Sequence, residues 1–109
     1  MPVKCKQVFK VLKNYASEMR TITCDEIAEE VGVAEPKLAG SLGFIRDEVC
    51  RRRGLPWLNA IAVNAETWRP AEGFLPEGSA LTSNDEEFLW RGMILLVFAY
   101  DWSGVNFEA

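Results

Sequence analysis

A mainly α-helical winged helix with a small β-hairpin is the fold class that this sequence predicts, as one domain over residues 1–109. Three observations carry that expectation. Residues 23–45, TCDEIAEEVGVAEPKLAGSLGFI, read as a helix, a glycine turn and a second helix. Apolar residues at helical spacing precede that unit. An apolar run with period-two alternation follows it at residues 57–63, and a last helix closes the series. A chain of 109 residues can bury one hydrophobic core but not two.

The elements follow in order. In the first helix Cys5, Val8, Phe9, Leu12, Tyr15, Ala16 and Met19 repeat at helical intervals, while Lys4, Lys6, Lys10 and Lys13 fall largely on other faces. Thr23 caps the second helix, and Glu26 three residues on completes a capping box. Cys24, Ile27, Ala28 and Val31 form its apolar stripe. Gly32 ends it in the left-handed conformation, with Val33 packing back. Pro36 pre-sets the first turn of a third helix that buries Leu38, Leu42, Ile45 and Val49. The run Arg51-Arg52-Arg53 complements the dipole at its C-terminal end, before Gly54 and Pro56 stop it.

Residues 57–63 then read as a short strand buried on both sides. Asn64-Ala65-Glu66-Thr67 forms a turn into a partner strand at Trp68-Arg69, which Pro70 confines to an edge. Residues 71–82 read as loop. Ser83-Asn84-Asp85-Glu86 opens the last helix with a second capping box, and the helix is expected to run to Asp101 or Trp102. Its second half, MILLVFAY, is apolar on every face. Such a helix is either the centre of the core or a homodimer surface.

Composition narrows the function classes. The chain has no histidine and three cysteines. Nucleophiles activated by histidine are therefore excluded, as is an all-cysteine zinc site within one chain. Cys5, Cys24 and Cys50 read as reduced core residues, and neither metal nor cofactor is expected. The longest apolar run is eight residues, far short of a membrane span. The opening MPVKCKQVFK has no apolar signal core, so a cytoplasmic protein without membrane contact is expected. The net charge of −4 conceals two basic patches, one in residues 1–20 and the other at residues 51–53, in an acidic body.

Thr23-x-x-Glu26-Ile27-Ala28-x-x-x-Gly32, followed by Leu38-Ala39-Gly40-Ser41-Leu42-Gly43, resembles the DNA-binding half of the alkylguanine-DNA alkyltransferase and alkyltransferase-like families. The resemblance covers roughly residues 21–63 and implies a winged helix with DNA contact. Those families carry a Pro-Cys-His-Arg-Val motif, or one with another residue in place of Cys, in the wing region. The corresponding stretch, residues 55–63, keeps Pro56 and an apolar strand but has no Cys, His or Arg. Alkyl transfer needs an activated thiolate, so a catalytic role is not implied.

The expected function is thus a non-enzymatic nucleic-acid-associated binding module, a small regulator or accessory factor that contacts double-stranded DNA. Lys37, Ser41, Arg46, Arg51, Arg52 and Arg53 on the third helix, with Arg69 in the wing, are the candidate DNA contacts. The alternative is a protein-interaction module, such as an inhibitor encoded by a phage or mobile element. Its partner would meet the acidic residues Asp25, Glu26, Glu29 and Glu30, or the wing aromatics Trp57, Trp68 and Phe74. Homodimerisation through the C-terminal helix is expected in either case.

Overall fold

The computed structural model describes residues 4–71, 74–76, 78, 79 and 81–108. Helix α1 (Cys5–Ser17) buries Cys5, Val8, Phe9, Leu12 and Ala16, the stripe that its spacing predicts. Met19 departs from that stripe. The helix has already closed, Arg20 N–H donates to Tyr15 O at 2.9 Å, and Met19 turns outward with φ 54.

Strand β1 (Ile22–Thr23) leads directly into α2 (Cys24–Val31). Thr23 serves both elements, because its extended backbone ends the strand and its hydroxyl caps the helix. The reciprocal bonds of the capping box are formed: Glu26 N–H donates to Thr23 Oγ1 and Thr23 N–H to Glu26 Oε1, each at 3.2 Å. Gly32 ends α2 at φ 76, and the N–H groups of Gly32 and Val33 both donate to Ala28 O.

The third helical segment is a composite. A 3-10 turn (Glu35–Lys37) containing Pro36 leads into α3 (Leu38–Phe44). The helix then widens to a π-turn over Ile45–Cys50 and tightens again at Arg51–Arg53. In the wide turn residues 45 and 46, and again 49 and 50, are buried in adjacent pairs. The buried side is thus broader than the Leu38, Leu42, Ile45 and Val49 stripe that the sequence predicts. Gly54 closes the segment at φ 69, where Leu55 N–H reaches back to Cys50 O at 2.9 Å.

The expected strand at residues 57–63 is mostly absent. Leu58–Ile61 form a 3-10 turn, and only Ala62–Val63 (β2) are extended. Short apolar runs buried on all sides do not distinguish the two conformations by periodicity, and Pro56 favours a turn here. Strand β2 pairs in parallel with β1, Ile22 against Ala62 and Thr23 against Val63. This parallel pair was not expected. The hairpin survives in rudiment on the other edge of β2, where Val63 bridges Pro70 in antiparallel sense and Asn64 N–H donates to Arg69 O at 2.9 Å.

Helix α4 (Ser83–Ala99) is capped by Thr82, one residue earlier than expected, whose hydroxyl accepts from Asp85 N–H at 3.1 Å. It also ends earlier than expected. Tyr100 is extended, and Trp102 folds back so that its indole donates to Val97 O at 2.8 Å. A second indole bond, Trp90 Nε1 to Ala60 O at 2.8 Å, fastens α4 to the 3-10 turn before β2. One face of α4 enters the core through Trp90 and Val97, with Leu89, Met93, Ile94 and Phe98 at its margin. Its other face is exposed.

The fold is therefore mainly helical, with a small two-stranded parallel sheet at the junction of the α1–α2 and α3–α4 halves. No helix among the described residues is long and apolar enough to cross a membrane. Leu42, at the centre of the core, is almost wholly buried. Leu42→Ala should cost about 3 kcal/mol in urea denaturation, as loss of transfer energy plus a residual cavity. A loss below about 1 kcal/mol would place the core elsewhere.

Candidate nucleic-acid interface

The third helical segment bears most of the candidate contacts, and its structure removes two of them. Ser41 is buried beneath α1, where its side chain meets the Cys5 thiol. Arg46 is only 7% exposed. Its guanidinium grips Asp47 through Nε at 2.8 Å and Nη2 at 2.7 Å, while Nη1 donates to Leu75 O at 2.9 Å. A buried guanidinium must have its donors satisfied, so this side chain holds a loop in place and does not reach outward. The sequence expectation for Ser41 and Arg46 is corrected on that basis.

Ala71, Phe74 and Leu75 thereby lie against the third segment. Ala71 packs beside Leu38, Ala39 and Leu42, and Phe74 is buried. Close to Arg46, an added Cβ on Gly43 would already stand 3.7 Å from its Nη2. The face that would enter a major groove is thus partly covered by the protein's own chain.

The three arginines after it are also engaged. Arg51 pairs with Asp47 at 3.1 Å and lies over the Trp57 ring at 5.8 Å. Arg52 pairs with Glu48 at 3.4 Å, although both side chains are mostly exposed. Arg53 donates to Asn106 O at 2.6 Å and to Phe107 O, holding the C-terminal tail. Two of these arginines pair with acids one turn earlier, an i,i+4 arrangement that the sequence itself contains, Arg51 sharing Asp47 with Arg46.

Lysines without an ion pair lie on α1. Lys6, Lys10 and Lys13 follow one another at steps of four and three, which places them on one stripe. Among the described residues no acid forms an ion pair with any of them. Together with Phe9, they line a hollow bounded by Val105, Asn106 and Phe107. Lys13 Nζ donates to Val105 O at 2.7 Å. The Phe107 ring packs edge-on to Phe9 at 5.7 Å and stacks on Phe44 at 6.1 Å. Across the tail, a neighbouring hollow is lined by Phe44, Glu48, Val49, Arg52, Arg53, Phe107 and Glu108. The three lysines and two arginines therefore flank a single strip of tail, an arrangement that sequence distance conceals. The 6, 10, 13 spacing was the available signal for the lysine half.

Of the three candidate aromatics, Phe74 is buried and Trp57 half-buried against the core, the two rings meeting edge to face at 5.9 Å. Trp57 N–H also donates to Met93 Sδ at 3.2 Å. They are corrected as free contact residues. Trp68 is different, being 63% exposed and in the left-handed region at φ 57. Asn64 dictates that conformation. Its Oδ1 accepts from Glu66 and Thr67 N–H, and its carbonyl from Trp68 N–H at 2.8 Å. Arg69 beside it is exposed, as is Lys37. Asp25, Glu26, Glu29 and Glu30 are exposed along α2, with Glu26 also engaged in the cap.

The cysteines are poor nucleophiles. Burial pushes the Cys24 and Cys50 thiols up to about 11, with Glu35 and Asp25 adding to the effect at Cys24. The Cys5 thiol is raised by burial as well. All three are protonated near neutral pH, so none resembles an activated thiolate.

No protein family, curated protein or solved structure matches this chain.

Two outcomes follow from Arg46. Arg46→Met should destabilise the fold by about 2 kcal/mol, because Leu75 O loses its side-chain donor and Asp47 keeps only Arg51, and should speed proteolysis beside Leu75. Unchanged stability and proteolysis would contradict its role as the loop's anchor. The Arg46 bonds, with Arg51 behind them, hold the Asp47 carboxyl below its ordinary range. A depressed folded value means that this stabilisation is present above the unfolded value of about 3.9 and lost as pH falls through the folded one. Asp47→Asn should therefore lower Tm at pH 7 and shrink the drop in Tm below about pH 4. An equal acid response in both proteins would exclude Asp47 as a contributor.

Proposed function

We propose that the chain is a non-enzymatic nucleic-acid-binding module that grips the phosphate backbone through α1 and reads no bases with its third helix. The observation that carries this reading is the contrast in engagement. The arginines of residues 46–53 are ion-paired or hold the tail, as Lys13 does, whereas Lys6 and Lys10 are exposed and form no ion pair among the described residues. Lys6, Lys10 and Lys13 span about 10 Å of helix, enough to meet roughly three phosphates of one strand. Lys37 and Arg69 are exposed outliers.

The finer fold reading belongs to the same proposal. The chain is a winged-helix relative, similar to the DNA-binding half of the alkyltransferases, with β1, α2 and α3 as the helix-turn-helix region. The rudimentary hairpin from Val63 to Pro70 is its wing. The resemblance supports DNA association and the occupied third helix argues for backbone contact alone.

A second reading, a protein-interaction module, is favoured by Trp68. Holding a bulky residue at φ 57 costs about 1–2 kcal/mol, and the ring is left exposed. An aromatic fixed in this way suits a partner's pocket. The acidic face of α2 would supply the rim.

Duplex binding followed by fluorescence anisotropy separates the two. With about three phosphate contacts, log K should fall against log salt with a slope of about −3, irrespective of sequence. Replacing Lys6 and Lys10 with Ala should reduce that slope by about 2, while Ala at Lys37 changes it little. No duplex binding at low salt sinks the nucleic-acid reading. A strong dependence on base sequence contradicts the backbone-only mode.

A further inference from the structure

Among the described residues, three large exposed apolar side chains lie together on the free face of α4. Phe88 is 83% exposed, Leu95 69% and Leu96 57%. Positions 88, 92, 95 and 99 follow one another at steps of four, three and four, the spacing of a coiled-coil seam. Large and small residues alternate along it: Phe88, Gly92, Leu95, Ala99. An added Cβ on Gly92 would meet no atom within 4 Å, so the notch there is open.

We propose that this face is a homodimer interface in which α4 packs antiparallel against α4 of a second copy. The two-fold axis passes between Met93 and Ile94. In that register Phe88 sits over the partner's Ala99 and Leu95 enters the notch of the partner's Gly92. Each large side chain thus meets a small one, as an isologous contact requires. Arg91, the charged residue beside the seam, pairs with Glu87 of its own helix at 3.0 Å, so the two copies bring no like charges into opposition along it.

The area also fits a second copy. Phe88, Leu95, Leu96 and Ala99 expose roughly 400 Å² of apolar surface, taking about 150–200 Å² for a large side chain. A standard interface needs about 800 Å² per partner, of which somewhat more than half is apolar. The seam supplies nearly all of that apolar share, and the helix flanks supply the polar rim.

Light scattering across a concentration series, with sedimentation as a check, tests the proposal. The wild-type chain should approach twice 12.3 kDa at high micromolar concentration. Gly92→Leu fills the notch without touching the monomer's own packing, and should remain folded by circular dichroism yet stay monomeric. Leu95→Cys, close to the axis, should cross-link between copies with a short bis-maleimide, whereas Phe88→Cys, far from it, should not. A monomeric wild type at every concentration overturns the interface. A dimeric Gly92→Leu, or cross-linking at Phe88→Cys in place of Leu95→Cys, overturns the register.

Discussion

A buried guanidinium has few places to put its five donors, and the fold around the third helical segment is arranged to satisfy those of Arg46. Asp47 accepts from it at 2.8 and 2.7 Å, and Leu75 O at 2.9 Å. That demand places Leu75 against the helix, next to the buried Phe74. It also engages Asp47, whose second oxygen-sharing partner is Arg51. A charged residue in the wide turn thus becomes an internal strut, and the surface beside it is partly covered by Leu75. Breaking a pair of this kind exposes its remaining partner, which is why such struts are kept.

The functional account follows from where charge is left over. Over residues 46–53 Asp47 is shared by Arg46 and Arg51, Glu48 pairs with Arg52 and Arg53 bonds the tail, so each arginine is engaged although the arginines outnumber the acids. The lysine stripe on α1 retains its charge and faces a tail pinned by Lys13 and Arg53. Long-range attraction for polyanions depends on such uncompensated groups rather than on the net charge of the chain. A net value of −4 is therefore compatible with a local basic face.

Much of the helical framework was legible in the sequence. The capping box at Thr23 and Glu26, the stop at Gly32 and the apolar stripes of α1 and α2 are local signals, and local hydrogen bonding realises them. What was illegible depended on contacts remote in sequence. The parallel pairing of Ile22–Thr23 with Ala62–Val63 joins segments forty residues apart. The π-turn at Ile45–Cys50 uses the same residue types as an α-helix and differs only in which carbonyl each N–H finds. Arg46 read as a surface cation because its acceptor, Leu75 O, lies in a loop with no periodic signal. Similarly, the grip of Lys13 and Arg53 on the tail joins residues that stand 92 and 53 positions apart, which no spacing rule connects.

The central claim is that polyanion contact belongs to α1 and the tail rather than to the third helix. Titrating isotope-labelled protein with a short duplex and following backbone amide shifts tests it most directly. The account predicts that the largest shifts fall in residues 5–14 and 104–108. Shifts concentrated in residues 37–44, or none at any ratio of duplex to protein in low salt, would contradict it.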